Sequence, residues 1–105
     1  MRREDAVFRA LADPSRRAIF ERLTRGEVAV KELTACFDIS QPAVSQHLAA
    51  LRSAGLAAER RQGRLVYYRV DPKGLKPLID WIRHYQAFWL ERLDRLAALL
   101  DQMED

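Results

Sequence analysis

Residues 33–70 read LTACFDISQPAVSQHLAALRSAGLAAERRQGRLVYYRV, and the fold turns on this stretch. Leu33, Cys36 and Phe37 stand at i, i+3 and i+4, the spacing of one helix face, so a short helix is expected over residues 30–37 with all three buried. Asp38-Ile39-Ser40 then makes a turn. Ser40 suits the cap of a second helix, Pro42 fits a first turn whose amides lack intrahelical partners, and Gly55 suits the exit, which sets that helix at residues 41–54. Helix, three-residue turn and helix make the helix-turn-helix layout.

The second of these helices has two unlike faces. Val44, Leu48 and Leu51 form the inward stripe, while Pro42, Ser45, Gln46, Ala49 and Ser53 face outward, with Arg52 at the margin. This outer face is short, polar and nearly uncharged, where a solvated helix usually carries long Lys and Glu side chains. Small residues let a helix sit deep in a groove, and Ser45 and Gln46 have the donors and acceptors to read base edges. An ordinary surface helix of low charge is the plain alternative. His47 lies at the edge of the buried stripe, so packing or orienting is as open to it as a base contact.

Residues 56–61 and 64–70 read as two strands of a small hairpin about Gln62-Gly63, with Val66, Tyr68 and Val70 alternating onto one face. A two-residue turn there sets Arg61 opposite Arg64, a like-charge pair that suits a tip meeting phosphate. Because Gln62 is not a residue that a type I′ turn prefers, a longer loop is the other option. The formal net charge is only +3, yet residues 40–70 hold five arginines (Arg52, Arg60, Arg61, Arg64, Arg69) against one acid, Glu59; residues 72–105 hold five bases against six acids. Charge concentrated in this way points to a polyanionic partner, since each phosphate neutralised releases counterions. A solvated basic face is the alternative.

Working outward, residues 5–12 have a helical pattern with Val7, Phe8 and Leu11 on one side, ended by Asp13-Pro14. Asp13 caps the next helix, residues 14–24, with Pro14 at its first position and Ala18, Ile19, Leu23 and Phe20 facing inward. On the other side, Asp71-Pro72 ends the hairpin, and residues 75–103 read as one helix with Pro77 in its first turn. Leu75, Leu78, Ile82, Tyr85, Trp89, Leu93, Leu96, Leu100 and Met103 recur at spacings of three or four, flanked by Trp81, Phe88 and Leu99. At ~1.5 Å per residue this helix is about 40 Å long, more than a small domain covers. The domain itself is expected to supply one covering surface and a twin helix from a second copy the other, in a symmetric dimer centred on the aromatics. A pocket for a small effector among those aromatics is the alternative.

The expected fold is therefore mainly α with a small β-hairpin wing: one domain over residues 1–105, made of a winged helix-turn-helix core (5–71) and a C-terminal dimerisation helix (72–105). A length of 105 residues allows a single modest core, and 49% hydrophobic with 31% charged residues is the balance of a folded globular chain. No apolar run has the length to cross a bilayer and Met1–Asp5 lack a secretory hydrophobic segment, so a cytoplasmic chain without a membrane partner is expected. Cys36 is the only cysteine, which leaves no internal disulfide and no metal centre of its own making.

Three strings carry a resemblance to the ArsR-type (arsenic-repressor-like) winged-helix transcriptional regulators: ALADPSRRAIFERL (10–23), ISQPAVSQHLAALRSAGL (39–56) and ERRQGRLVYYRV (59–70). The resemblance implies a cytoplasmic homodimer, joined through its first and last helices, that represses transcription from an imperfect palindrome. It implies that Ser40, Gln41, Ser45, Gln46 and His47 approach double-stranded DNA and that Arg60, Arg61 and Arg64 form the wing contact; Arg52, from its place at the margin of the outer face, is expected among the DNA-binding residues as well. Phe8, Leu11, Ile82, Tyr85, Trp89, Leu93 and Leu96 are the expected dimer residues. Arg16 and Arg17 are open to phosphate, interface or solvent.

The metal-sensing branch of that family resembles ELCVCDL where this chain has ELTACFD (32–38), so Thr34 stands at the first cysteine position. The last helix has Asp80 and a lone His84, short of the three or four ligands a zinc site needs. A non-metal-sensing member without a cofactor is expected, with Cys36 a buried core thiol and any small effector unidentified. A winged-helix protein-interaction module is the alternative function. An enzyme is not expected: there is no glycine-rich phosphate loop, and the two histidines lie in separate helices without a paired nucleophile.

Overall fold

The computed structural model of the chain describes residues 2–103; Met1, Glu104 and Asp105, the last two within the expected 72–105 segment, lie outside the described residues. The elements are α1 (Arg3–Ala12), α2 (Pro14–Leu23), β1 (Val28–Ala29), α3 (Val30–Ala35), α4 (Gln41–Ser53), β2 (Ala57–Gln62), β3 (Leu65–Val70), a 3₁₀ turn (Pro72–Leu75) and α5 (Lys76–Met103). The fold is a winged helix-turn-helix with a long C-terminal helix.

Local chemistry sets the element ends. Asp13 accepts a hydrogen bond from the Arg16 amide at 3.0 Å, and Ser40 Oγ accepts one from the Ala43 amide at 3.2 Å, so α2 and α4 both start on a side-chain cap. After α4, Gly55 takes φ +80°, which turns the chain into β2. Gly74 lies against this exit: a Cβ on Gly74 would fall 1.7 Å from the Gly55 carbonyl oxygen, so only glycine lets the turn that launches α5 pack on the end of α4.

Ile19, Leu33, Val44, Leu48, Leu51 and Leu56 are completely buried, with Val7 and Leu23 sealed beside them. Each leucine or isoleucine so buried contributes about 1.5–3 kcal/mol relative to exposure. The sheet has the order β1-β3-β2 and is antiparallel throughout. Tyr68 is buried from the central strand, while Val66 and Val70 pack against the core beside it.

Three expectations are corrected and one strand is additional to them. The wing turn is Gly63-Arg64, because Gln62 pairs with Leu65; Arg61 therefore faces Val66 and not Arg64. Gly63 has φ +62° and no non-glycine residue among those described has positive φ, which fits a type II′ turn with glycine at its first central position, whereas a primed turn one residue earlier, the kind hairpins favour, would need a left-handed Gln62. Cys36 is exposed instead of buried. It caps the end of the shortened α3, about 60° around the helix from Leu33, where solvent reaches it. β1 went unforeseen because two residues carry no periodicity. Finally, the core covers α5 only at its start: Leu78 packs against the core, but every described residue from Ile79 onward is exposed.

Candidate nucleic-acid interface

Val44, Leu48 and Leu51 hold α4 in the core, so its opposite face is presented on a fixed support. Gln41, Pro42, Ser45, Gln46, Ala49, Arg52 and Ser53 are all exposed there. Ser40 is exposed at the N-terminus with its hydroxyl engaged in the cap. His47 is half-buried; its Nδ1 is shut off from solvent without a hydrogen-bond partner, as is Arg16 Nε on α2. The Asp13 carboxyl lies below the usual carboxylate range, chiefly because it accepts the Arg16 amide hydrogen bond, with His47 and Arg16 adding favourable charge.

The wing leans over the start of α4. Gln41 and Ser45 from the helix, Arg61, Arg64 and Leu65 from the wing, and Lys31 from α3 line one cleft of about 290 Å³. Four of the expected DNA residues are thereby brought together from elements far apart in sequence, with a basic rim. Gln46 and Arg52 continue outward along the same helix.

Arg60 is not part of that group. Neighbouring strand residues point to opposite faces, so Arg60 lies on the far side of β2 from Arg61. There it bonds Glu27, with Nη2 2.6 Å from the carboxylate, and stacks over the Tyr67 ring at 4.6 Å. The hydrogen bond from Arg60 holds the Glu27 carboxyl below its ordinary range. Arg61 and Arg52 both pair with Glu59, at 3.4 and 3.1 Å. Arg64, at the wing tip, makes no ion pair among the described residues.

Glu59 also accepts the Tyr68 hydroxyl at 2.8 Å. That bond, followed by the one from Arg61 and the charges of Arg52 and Arg61, depresses the Glu59 carboxyl, while burial and the Glu59 carboxylate raise the Tyr68 phenol. Glu59 was visible in the sequence as the sole acid among residues 40–70. Glu27, Tyr67 and Lys31 carried no such signal, since their roles depend on a three-stranded sheet whose first strand is too short to foresee.

The expected dimer residues divide. Leu11 packs against the core of its own chain, and Phe8 meets Trp81 edge-on at 5.3 Å, fastening α1 to the first turns of α5. Ile82, Tyr85, Trp89, Leu93 and Leu96 are exposed. Among the described residues no group of three or more His, Cys, Asp or Glu side chains is placed to hold a metal ion. No helix among them is long and apolar enough to cross a membrane.

A helix-turn-helix domain family matches residues 11–60. The chain is 42% identical over 104 residues to the HTH-type transcriptional regulator Rv2034 of Mycobacterium tuberculosis, spanning 99% of this chain and 94% of that protein. It is 33% identical over 79 residues to the transcriptional repressor SdpR of Bacillus subtilis, spanning 75% and 88% respectively. Its structure is similar to the crystal structure of an ArsR family transcriptional regulator, with a TM-score of 0.74 and 32% identity over 83% of this chain and 90% of that one. With the helix-turn-helix, the wing and the long last helix all in place, and with likeness over nearly its whole length, the chain belongs to the ArsR-type family of winged helix-turn-helix transcriptional regulators.

Proposed function

We propose that this protein is a cytoplasmic homodimer that represses transcription by binding an imperfect palindrome in double-stranded DNA. The observation that carries the reading is the junction of a small, polar, exposed helix face with the basic cleft under the wing. α4 enters the major groove, where Gln46 and Ser45 read base edges, and Ser40 and Gln41 lie at its entry. Arg64, which has no ion pair among the described residues, meets phosphate, and Arg61 and Arg52 join it from the Glu59 cluster. Arg60 serves the wing by holding it to Glu27. His47 orients α4 against the start of α2, as its enclosed Nδ1 favours.

Two recognition helices related by a two-fold axis enter successive major grooves about 34 Å apart. The second copy covers the exposed face of α5, with α1 at the edge of the contact. Thr34 donates its hydroxyl to the Val30 carbonyl at 2.8 Å, a bond that closes on the helix itself, and with one thiol nearby this supports the non-metal-sensing branch. Any effector is a small molecule of unidentified class.

Fluorescence anisotropy on the DNA upstream of the protein's own gene, with scrambled competitor and a salt series, tests this. Binding at one dimer per site that outlasts the competitor and weakens steeply with salt is expected. Arg64→Ala weakens all sequences alike and lowers the salt slope by about one, whereas Gln46→Ala relaxes preference at one position per half-site, worth about 1–3 kcal/mol of discrimination. Salt-insensitive binding to a protein partner, with no DNA preferred, would instead identify an interaction module.

A further inference from the structure

Glu59 is the one acid in the arginine-rich segment, and its surroundings are unlike those of a solvated surface carboxylate. Its Oε2 takes hydrogen bonds from both Arg52 Nη1, at 3.1 Å, and the Tyr68 hydroxyl, at 2.8 Å, while Oε1 takes one from Arg61 Nε at 3.4 Å. Tyr68 is a core residue, so the carboxylate is tethered to the rigid interior. Its side chain is 23% exposed, against 53% for Arg52 and 75% for Arg61: the acid sits below the rim and the two guanidinium groups stand above it. Arg52 comes from the last turn of α4 and Arg61 from β2, so one anchored carboxylate ties the recognition helix to the wing.

We propose that Glu59 is a positioning residue that grips Arg52 and Arg61 and withholds them from DNA phosphates, lowering affinity for duplex of arbitrary sequence. The inference rests on the DNA-binding reading above. An exposed ion pair between two mobile side chains contributes little and would yield to any phosphate. Here one partner is fixed by a buried phenol, and moving both arginines to phosphate leaves a charge-assisted acceptor with only that phenol. Every duplex has to overcome this loss before Arg52 and Arg61 add to its grip, whereas Arg64 has no ion pair to give up among the described residues. Close docking at a proper site brings phosphates near enough to compete; loose non-specific contact does not.

The test measures binding of the full chain to a 30-base-pair duplex of arbitrary sequence by anisotropy across a salt series. Glu59→Gln is expected to raise affinity roughly fivefold at low salt and to steepen the log–log salt slope by up to about 2 per protomer, at ~0.9 for each phosphate gained. In an Arg52→Ala/Arg61→Ala background the same substitution is expected to change neither quantity, because the grip has nothing left to hold. Glu59→Asp retains the charge but is too short to bridge both arginines, so it is expected to act in the same direction, and it carries the test should Glu59→Gln fail to fold by circular dichroism. The proposal is overturned if Glu59→Gln leaves wild-type binding unchanged, or if it raises affinity equally without the two arginines, which is bare repulsion of phosphate. Absence of salt-dependent binding by the wild-type chain to any duplex overturns the DNA-binding reading itself, a result distinguishable from both.

Discussion

In the winged unit, Ile19, Leu33, Leu48 and Leu56 are sealed from water, while along α5 Trp89, Leu93 and Leu96 stay more than half exposed although they recur with the same helical regularity. The two regions have similar apolar content and opposite burial. The winged unit closes a core over itself with helices on one side and a sheet on the other. α5 extends beyond that core: at 28 residues it is about 42 Å long, and the molecule measures 62 × 31 × 22 Å. Its radius of gyration, 18.1 Å, exceeds the ~13 Å of a compact chain of this length. Beyond its first turns, where Leu78 meets the core and Trp81 meets Phe8, the apolar face of α5 is uncovered in the single chain, and the proposed dimer places a second copy there.

The largest effect is expected from placing a charge in the uncovered stripe. Leu93→Asp should convert a dimer into a monomer in sedimentation velocity and reduce binding to a palindromic site by at least about 100-fold, since two half-site contacts no longer add as one event. The winged unit should keep its helical circular dichroism. If the unaltered chain already sediments as a monomer, the comparison breaks, and something other than a twin helix covers the tail.

The next effect lies on the other side of the comparison. Leu48→Ala removes a side chain with no exposure and is expected to cost about 2–5 kcal/mol in thermal or denaturant unfolding. Leu99→Ala, 54% exposed in the single chain, should leave the stability of the winged unit unchanged and shift only the part of unfolding that depends on protein concentration. Equal costs at the two positions would mean that the tail is folded onto its own domain.

Acid sharpens the same contrast. The carboxyls of Asp13, Glu27 and Glu59 titrate below their ordinary values in the folded chain, and all three belong to the winged unit. Between the folded and unfolded values the unfolded chain binds more protons, so stability rises with pH there; the contribution is complete above about pH 4–5 and lost as pH falls through the folded values. Melting temperature should therefore decline from pH 5 towards pH 2.5, and less steeply in Glu27→Gln, which removes one of the depressed carboxyls. An unchanged decline in that variant would show that the Glu27–Arg60 pair contributes nothing to the fold.

Periodicity and capping made most of this architecture legible. Leu48 and Leu51 announced their burial by spacing, and Ser40 and Asp13 announced helix starts by chemistry, because each signal is contained within a few consecutive residues. The wing turn lies one residue later than expected, since glycine serves at either central position of a tight turn and the strand pairing decides which. Arg60 looked equivalent to Arg61 in sequence, and its diversion to Glu27 depends on a contact across 33 positions that no local pattern encodes. The basic cluster was therefore readable as a cluster, whereas which arginines are already engaged depends on tertiary structure.

The smallest effect is expected at Cys36, where sequence pattern and structure part most plainly. Sharing a helical face with Leu33 and Phe37 suggested a buried thiol, for which Cys36→Ser would put a hydroxyl in the core and cost well over 1 kcal/mol. The exposed thiol at the end of α3, bonded only weakly to the Glu32 carbonyl at 3.4 Å, predicts the reverse. Cys36→Ser should change stability by no more than about 0.5 kcal/mol, and the native chain should react with a thiol reagent without first unfolding. Protection of the thiol in the native dimer would place Cys36 under a second surface, and the division between a self-sufficient winged unit and a dependent tail would have to be redrawn at α3.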